Sequence, residues 1–171
     1  SNGSYVGTSM NILLSTNAAN LTVGDVNDGQ LGKISGANVT LHGTGKYLFT
    51  GLNDYSGTTV LAQGSSLRLG AVNVIPDLSA VTLSTTANVL ELGDYTETVG
   101  SIAGAGNIRS YGVASSVLNT GIDLSSTAFS GTISDGTGTV NLTKQGTGNW
   151  ALNSANTYSG LTTISAGKIT M

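Results

Sequence analysis

Gly146-Thr147-Gly148-Asn149-Trp150-Ala151-Leu152, followed by Asn156-Thr157-Tyr158-Ser159-Gly160, repeats a stretch met 103 positions earlier. There Gly43-Thr44-Gly45 leads to Tyr47 and Phe49, which fall on Trp150 and Leu152. Asn53 and Tyr55-Ser56-Gly57 fall on Asn156 and Tyr158-Ser159-Gly160. One inserted residue at about Leu161 brings Val60 onto Ile164, and a compensating shift returns Gly64 to Gly167. The copies therefore run over residues 43–69 and 146–171. A weaker third copy ends at Phe129-Ser130-Gly131-Thr132-Ile133, again with an aromatic before Ser-Gly. A cassette repeated within one chain marks a repeat architecture, in which each unit buries its apolar face against its neighbours. Four or five other turns of chain must fit between the two strong copies.

Outward from these copies the pattern persists. Short alternating runs dominate: Val39-Thr40-Leu41, Ser66-Leu67-Arg68-Leu69, Val81-Thr82-Leu83, Val89-Leu90-Glu91-Leu92, Val140-Asn141-Leu142-Thr143, Lys168-Ile169-Thr170. In such a run every second side chain faces one side, leaving Thr, Asn or Ser on the other. Gly, Asn and Asp separate the runs, as at Gly104-Ala105-Gly106 and Asp135-Gly136-Thr137-Gly138, and these residues accept turn conformations at little cost. No sustained helical stripe occurs. Many short strands at roughly ten-residue spacing mean an all-β fold. A β-sandwich would not demand the cassette, and a propeller needs a blade signature that is missing. The remaining architecture is a parallel β-helix (solenoid), continuous over residues 1–171. At roughly 20 residues per coil it would make about eight coils and a rod on the order of 40 Å long.

Composition removes several functions. Gly 25, Thr 24, Ser 21 and Asn 15 make up half of the 171 residues, while charged residues are 9%, against about 25% in an ordinary domain. Without Cys there is no disulfide framework, iron–sulfur cluster or Cys-based zinc site. A net charge of −3 has the wrong sign for a nucleic-acid surface, and one His rules out a two-His metal site. No run approaches the roughly 18 apolar residues of a membrane helix. The chain opens Ser1-Asn2-Gly3 without a signal segment and stops at Met171 inside an apparent strand. It reads as an excised piece of a longer protein, so secretion is left open.

Candidate chemistry is sparse. His42 would need a partnered nucleophile and an orienting carboxylate, and no nucleophile-elbow pattern is present. Gly43-Thr44-Gly45-Lys46 fails the phosphate-loop spacing, and Gly104-Ala105-Gly106 fails the dinucleotide pattern at its third glycine. Asp25-Val26-Asn27-Asp28-Gly29 suggests calcium but lacks the loop spacing and the closing Glu. Glu91, Asp94 and Glu97 could form the acidic pair of a glycosidase cleft. Such clefts also gather basic residues and sugar-stacking aromatics, and aromatics here are only 5%. The expectation is a chain that is not an enzyme, with no cofactor, no metal and no small-molecule substrate. Tyr55, Phe129, Trp150 and Tyr158 are expected to pack coil upon coil rather than to form a binding surface.

The run Leu142-Thr143-Lys144, then Gly146 and Gly148, Trp150-Ala151-Leu152, Asn156-Thr157-Tyr158-Ser159-Gly160, Thr162-Thr163 and Gly167 resembles the passenger-associated transport repeat of bacterial type V autotransporters. Residues 90–106 resemble the segment that often precedes it. Trp150 departs from the pattern, standing where an aliphatic residue or Thr is usual. The resemblance implies a right-handed parallel β-helix within a surface-displayed passenger, near its C-terminal autochaperone region. It implies a folding and stalk role for Trp150, Tyr158, Gly160, Tyr55, Gly57 and Phe129. It further implies a bacterial cell-surface or outer-membrane location, possible release after cleavage, and the protein's own C-terminal outer-membrane barrel as partner in cis. The whole protein would then be an adhesin or another virulence-associated surface protein. A second reading is a scaffold binding a host surface or cytoskeletal protein. A third is a carbohydrate-active enzyme.

Overall fold

The structure is a computed structural model and describes residues 10–13, 21–23, 29–36 and 38–171. Its first strands are β1 (Met10–Leu13), β2 (Leu21–Val23), β3 (Gly29–Ser35), β4 (Val39–Leu41), β5 (Lys46–Phe49) and β6 (Thr59–Leu61). Next come β7 (Ser66–Leu69), β8 (Ala80–Leu83), β9 (Val89–Glu91), β10 (Thr96–Val99), β11 (Ser101–Gly104), β12 (Asn107–Arg109) and β13 (Ser116–Thr120). The last are β14 (Thr127–Phe129), β15 (Thr132–Ser134), β16 (Val140–Lys144), β17 (Asn149–Leu152), β18 (Thr162–Ile164) and β19 (Lys168–Thr170). No helix occurs among the described residues.

Three sheets form the faces of the solenoid. Face 1 is seven-stranded (β1-β3-β5-β7-β9-β12-β15), face 2 four-stranded (β10-β13-β16-β18) and face 3 eight-stranded (β19-β17-β14-β11-β8-β6-β4-β2). Every pairing is parallel, as in β5 with β7, β13 with β16 and β6 with β8. The chain visits face 1, then face 2, then face 3, and then returns. Partners in neighbouring circuits lie from 18 residues apart, Leu21 to Val39, to 25, Gly104 to Phe129. The fold is therefore the parallel β-solenoid expected from the alternation and the repeats.

Burial follows the period of two. β4, β6 and β8 each bury alternate residues, so Leu41, Leu61 and Leu83 form one aliphatic row along the axis. Leu67, Leu90, Ile108 and Ile133 form another row beneath face 1. Each row places like side chains directly over one another, where parallel neighbours pack closely. The core is thus a narrow column along the axis rather than a central cluster.

Face 2 acquires its strands only at β10. Before that point, side chains replace the ladder. The carbonyl oxygen of the Asn53 side chain accepts from the Ile34 N–H at 2.7 Å, and its amide donates to the Val74 carbonyl at 2.6 Å. The Glu97 carboxyl accepts from the Val74 and Ile75 N–H groups at 3.0 and 2.8 Å. From Glu97 the same row continues as an ordinary ladder through Leu118, Leu142 and Thr162. Buried backbone donors need partners, and these two polar side chains supply them where strand pairing is missing.

Candidate functional site

The two copies of the cassette build one local motif. Each is a strand, an arch containing Asn-x-Tyr-Ser-Gly, a second strand, a glycine turn and a third strand. In the first copy the Asn53 oxygen accepts from Ile34 and the Asp54 N–H donates to the Ile34 carbonyl at 3.1 Å. In the second, the Asn156 oxygen accepts from the Ile133 N–H at 2.8 Å and Thr157 donates to the Ile133 carbonyl at 2.9 Å. Tyr55 and Tyr158 each bond a threonine four residues on, Thr59 at 2.5 Å and Thr162 at 2.7 Å. The N–H groups of Thr58 and Leu161 donate to the side chains of Asn38 and Asn141, both at 2.8 Å. Gly64 and Gly167 close the turns with φ of 86° and 70°, a conformation glycine adopts without steric cost.

These matched bonds correct the alignment drawn from sequence. The offset remains 103 at Thr58 and Leu161 and at Thr59 and Thr162, so no residue is inserted at Leu161 and Val60 matches Thr163, not Ile164. They also show that the copies occupy different faces. The first runs β5 on face 1, arch on face 2, β6 on face 3. The second runs β17 on face 3, arch over Ile133 of face 1, β18 on face 2. The motif is rotated by one face while these four bonds are kept, so it is a local unit and not a fixed place on the coil.

The aromatic residues separate accordingly. Tyr55 is buried, and its hydroxyl joins a chain through Thr59 to Ser79, the latter pair at 2.9 Å. Tyr158 is only half-buried. Phe129 and Trp150 are both buried on face 3 with ring centroids 6.5 Å apart and planes tilted by 38°. The aromatic column expected coil upon coil is thus limited to Phe129 and Trp150; rotation of the motif takes Tyr55 and Tyr158 elsewhere. Phe129 ends a strand and lies outside any arch. Gly57 is half-buried in the first arch, and at Gly160 a Cβ would lie 2.1 Å from the Val140 carbonyl oxygen.

The three neighbouring carboxylates part company. Glu91 lies on the outer side of face 1 between Arg68, at 2.7 Å, and Arg109, at 2.6 Å. Partial burial pulls its pKa upward, but the two guanidinium hydrogen bonds outweigh that and hold it below the ordinary range. Asp94 sits in a turn and accepts from the Ala114 N–H at 2.7 Å. Glu97 points inward. No acidic pair converges, so the proposed cleft is not formed by these residues. His42 is half-buried after β4, and its carbonyl accepts from the Tyr47 hydroxyl at 2.6 Å. Residues 25–28 of the suggested calcium segment lie outside the described residues. Among the described residues no group of three or more metal-ligating side chains assembles.

Two inward ionisable groups were not anticipated. Lys144 is buried at the end of β16 and donates to the carbonyls of Gln145 and of Gly146, the latter at 2.9 Å. Burial lowers its pKa, and the Asp123 carboxylate opposes the shift. Glu97 is fully buried, and desolvation pushes its pKa up to about 8 despite the two backbone donors. A carboxyl whose pKa is raised on folding stabilises relative to higher pH. Its contribution is complete below the unfolded value of about 4.5 and is lost as pH rises to about 8. Thermal midpoints should therefore fall between these values, with a slope of at most about 1.4 kcal/mol per pH unit. Glu97→Gln should flatten that slope; an equal slope in both proteins would show that Glu97 does not titrate as described.

The family model described as passenger-associated-transport-repeat matches residues 39–68 and 142–170. Both matches begin four residues before the copies recognised from sequence, at Val39 and Leu142, which again differ by 103 positions. No curated protein and no solved structure matches the chain significantly.

Proposed function

We propose that this chain, which carries two passenger-associated transport repeats on a parallel β-solenoid, is a structural segment of an autotransporter passenger that serves as stalk and folding template. The observation that carries this reading is the arch built twice on two different faces, with its anchoring asparagine and tyrosine bonds repeated. A self-contained arch that docks on an existing strand is suited to adding one circuit after another. Parallel pairing is non-local and slow to nucleate, so a formed edge that templates the next circuit lowers the barrier. No ATP is available outside the outer membrane, and folding there can bias export. On this reading the segment is exposed at the bacterial surface, its partner in cis is the protein's own outer-membrane barrel, and the assembled protein is an adhesin. It has no catalytic role, no cofactor and no small-molecule substrate.

The test is display of the complete protein on cells. Removing residues 142–170 should reduce the protease-resistant passenger at the surface several-fold while the barrel still inserts. Unchanged surface passenger with unchanged protease resistance would overturn the reading. A scaffold for a host surface or cytoskeletal protein is the second reading. It draws on large apolar side chains exposed at the turns: Leu52, Val72, Leu78, Val113 and Leu124. Saturable capture of one host protein by this segment, abolished by polar replacements at these turns, would favour it.

A further inference from the structure

The outer surface of face 1 carries a charged row that the solenoid itself does not require. Leu48, Arg68, Glu91, Arg109 and Ser134 stand in register on five successive strands, pointing away from the inner row at Tyr47, Leu67, Leu90, Ile108 and Ile133. Both arginines of a chain that is only 9% charged meet here, one on each side of Glu91. Arg68 donates through Nε to one carboxylate oxygen, and Arg109 donates through Nε and Nη2 to the other. Tyr111, from the circuit of Arg109, reaches back so that the Arg68 guanidinium lies 3.6 Å from its ring centroid. Two hollows adjoin this row. One of about 260 Å³ is lined by Lys46, Leu48, Ser66, Arg68 and Glu91; the other, of about 280 Å³, by Arg68, Glu91, Arg109, Tyr111 and Thr137.

Stability does not account for the arrangement. Ion pairs with one half-exposed partner are worth at most about 1 kcal/mol each. What the carboxylate achieves is to fix two guanidinium planes, which otherwise lose rotamer freedom when they bind. With Lys46 the row is locally positive by two charges, on a chain whose net charge is −3. From Lys46 to Arg109 it spans three strand spacings, about 14 Å along the axis.

We propose that this row is a binding groove for an acidic polysaccharide lying along the rod. Carboxylate or sulfate groups of the sugar chain meet Lys46 and Arg109. Its hydroxyls meet Ser66, Thr137 and the Glu91 carboxylate, an acceptor that a sugar hydroxyl satisfies. A DNA backbone offers the Glu91 acceptor no hydroxyl donor, and a chain of net charge −3 gives it no extended basic track. The proposal does not rest on the export reading.

The test is titration of the chain with a heparin-derived oligosaccharide, an oligogalacturonate, neutral dextran and a DNA oligonucleotide of similar length. Binding of either acidic sugar, with none of dextran and weaker binding of DNA, is the expected result; which acid binds distinguishes sulfate from carboxylate. Lys46→Gln and Arg109→Gln should each weaken binding about tenfold or more, with the thermal midpoint unchanged for Lys46→Gln and lowered by no more than about 4 °C for Arg109→Gln. Failure of both acidic sugars to bind at low salt would overturn the proposal. So would DNA binding as tight as the sugar, or indifference to both substitutions.

Discussion

Trp150→Ala should lower stability by about 3–5 kcal/mol, the range for truncating a large buried aromatic residue. For a chain of this size that corresponds to a fall in thermal midpoint of about 6–20 °C. The side chain is 2% exposed on the inner side of β17, beside Phe129 and in register between Thr127 and Ile169. The core is a narrow column of closely packed rows, so a void there has few neighbours able to move into it. The indole N–H is buried without a hydrogen-bond partner. Its loss therefore removes a cost, and Trp150→Phe should be far milder than Trp150→Ala, since it keeps most of the packing. Tyr158→Ala should cost only about 1–2 kcal/mol, because that side chain is half-buried and its hydroxyl bond to Thr162 is exposed. Thermal unfolding of the three variants decides the matter, and an unchanged midpoint for Trp150→Ala would show that the Phe129–Trp150 contact does not hold the coils together.

Alternation and turn residues were enough to read the parallel solenoid, because both arise from local geometry. Buried residues recur at every second position within a strand, and Gly lies in most of the turns. What stayed hidden was the phase of the cassette. An alignment reports an offset of 103, but circuits vary from 18 to 25 residues, so the offset does not reveal which face the second copy occupies. The aromatic column is confined to Phe129 and Trp150 for that reason. The carboxylate cleft, set aside from the sequence for want of basic residues and aromatics, does not assemble for another: residues 92–95 form a turn between β9 and β10, and side-chain parity is not preserved across it. Glu91 consequently faces out and Glu97 in. Glu97 and Lys144 were nonetheless legible. Val99 and Leu142 are core residues, and Glu97 and Lys144 each stand two positions from one of them on the same strand, on the inward side. The charged row on face 1 was harder to see, since Arg68, Glu91 and Arg109 are separated by 23 and 18 positions and meet only through strand register.

Asn53→Ala should destabilise the chain by about 2–5 kcal/mol, far beyond the loss of a surface asparagine. The side chain is bonded both to the circuit before it, at Ile34, and to the circuit after it, at Val74. Alanine leaves a buried N–H and a buried carbonyl without partners, and each unsatisfied group costs about 1–3 kcal/mol. No strand pairing takes over, because face 2 has no ladder at this level. Asn156 occupies the matching place in the second copy but is wired differently. Its oxygen accepts from Ile133, while its amide donates to the nearby Ser154 carbonyl and joins no second circuit. Asn156→Ala should therefore cost only about 1–2 kcal/mol. Urea unfolding of both variants compares them directly. A larger loss at Asn53 with an unchanged denaturant slope is expected if the side chain stitches three successive circuits. Equal losses would mean that the arch contributes through its local turn alone, and that the bond to Val74 adds nothing to the stacking of the coil.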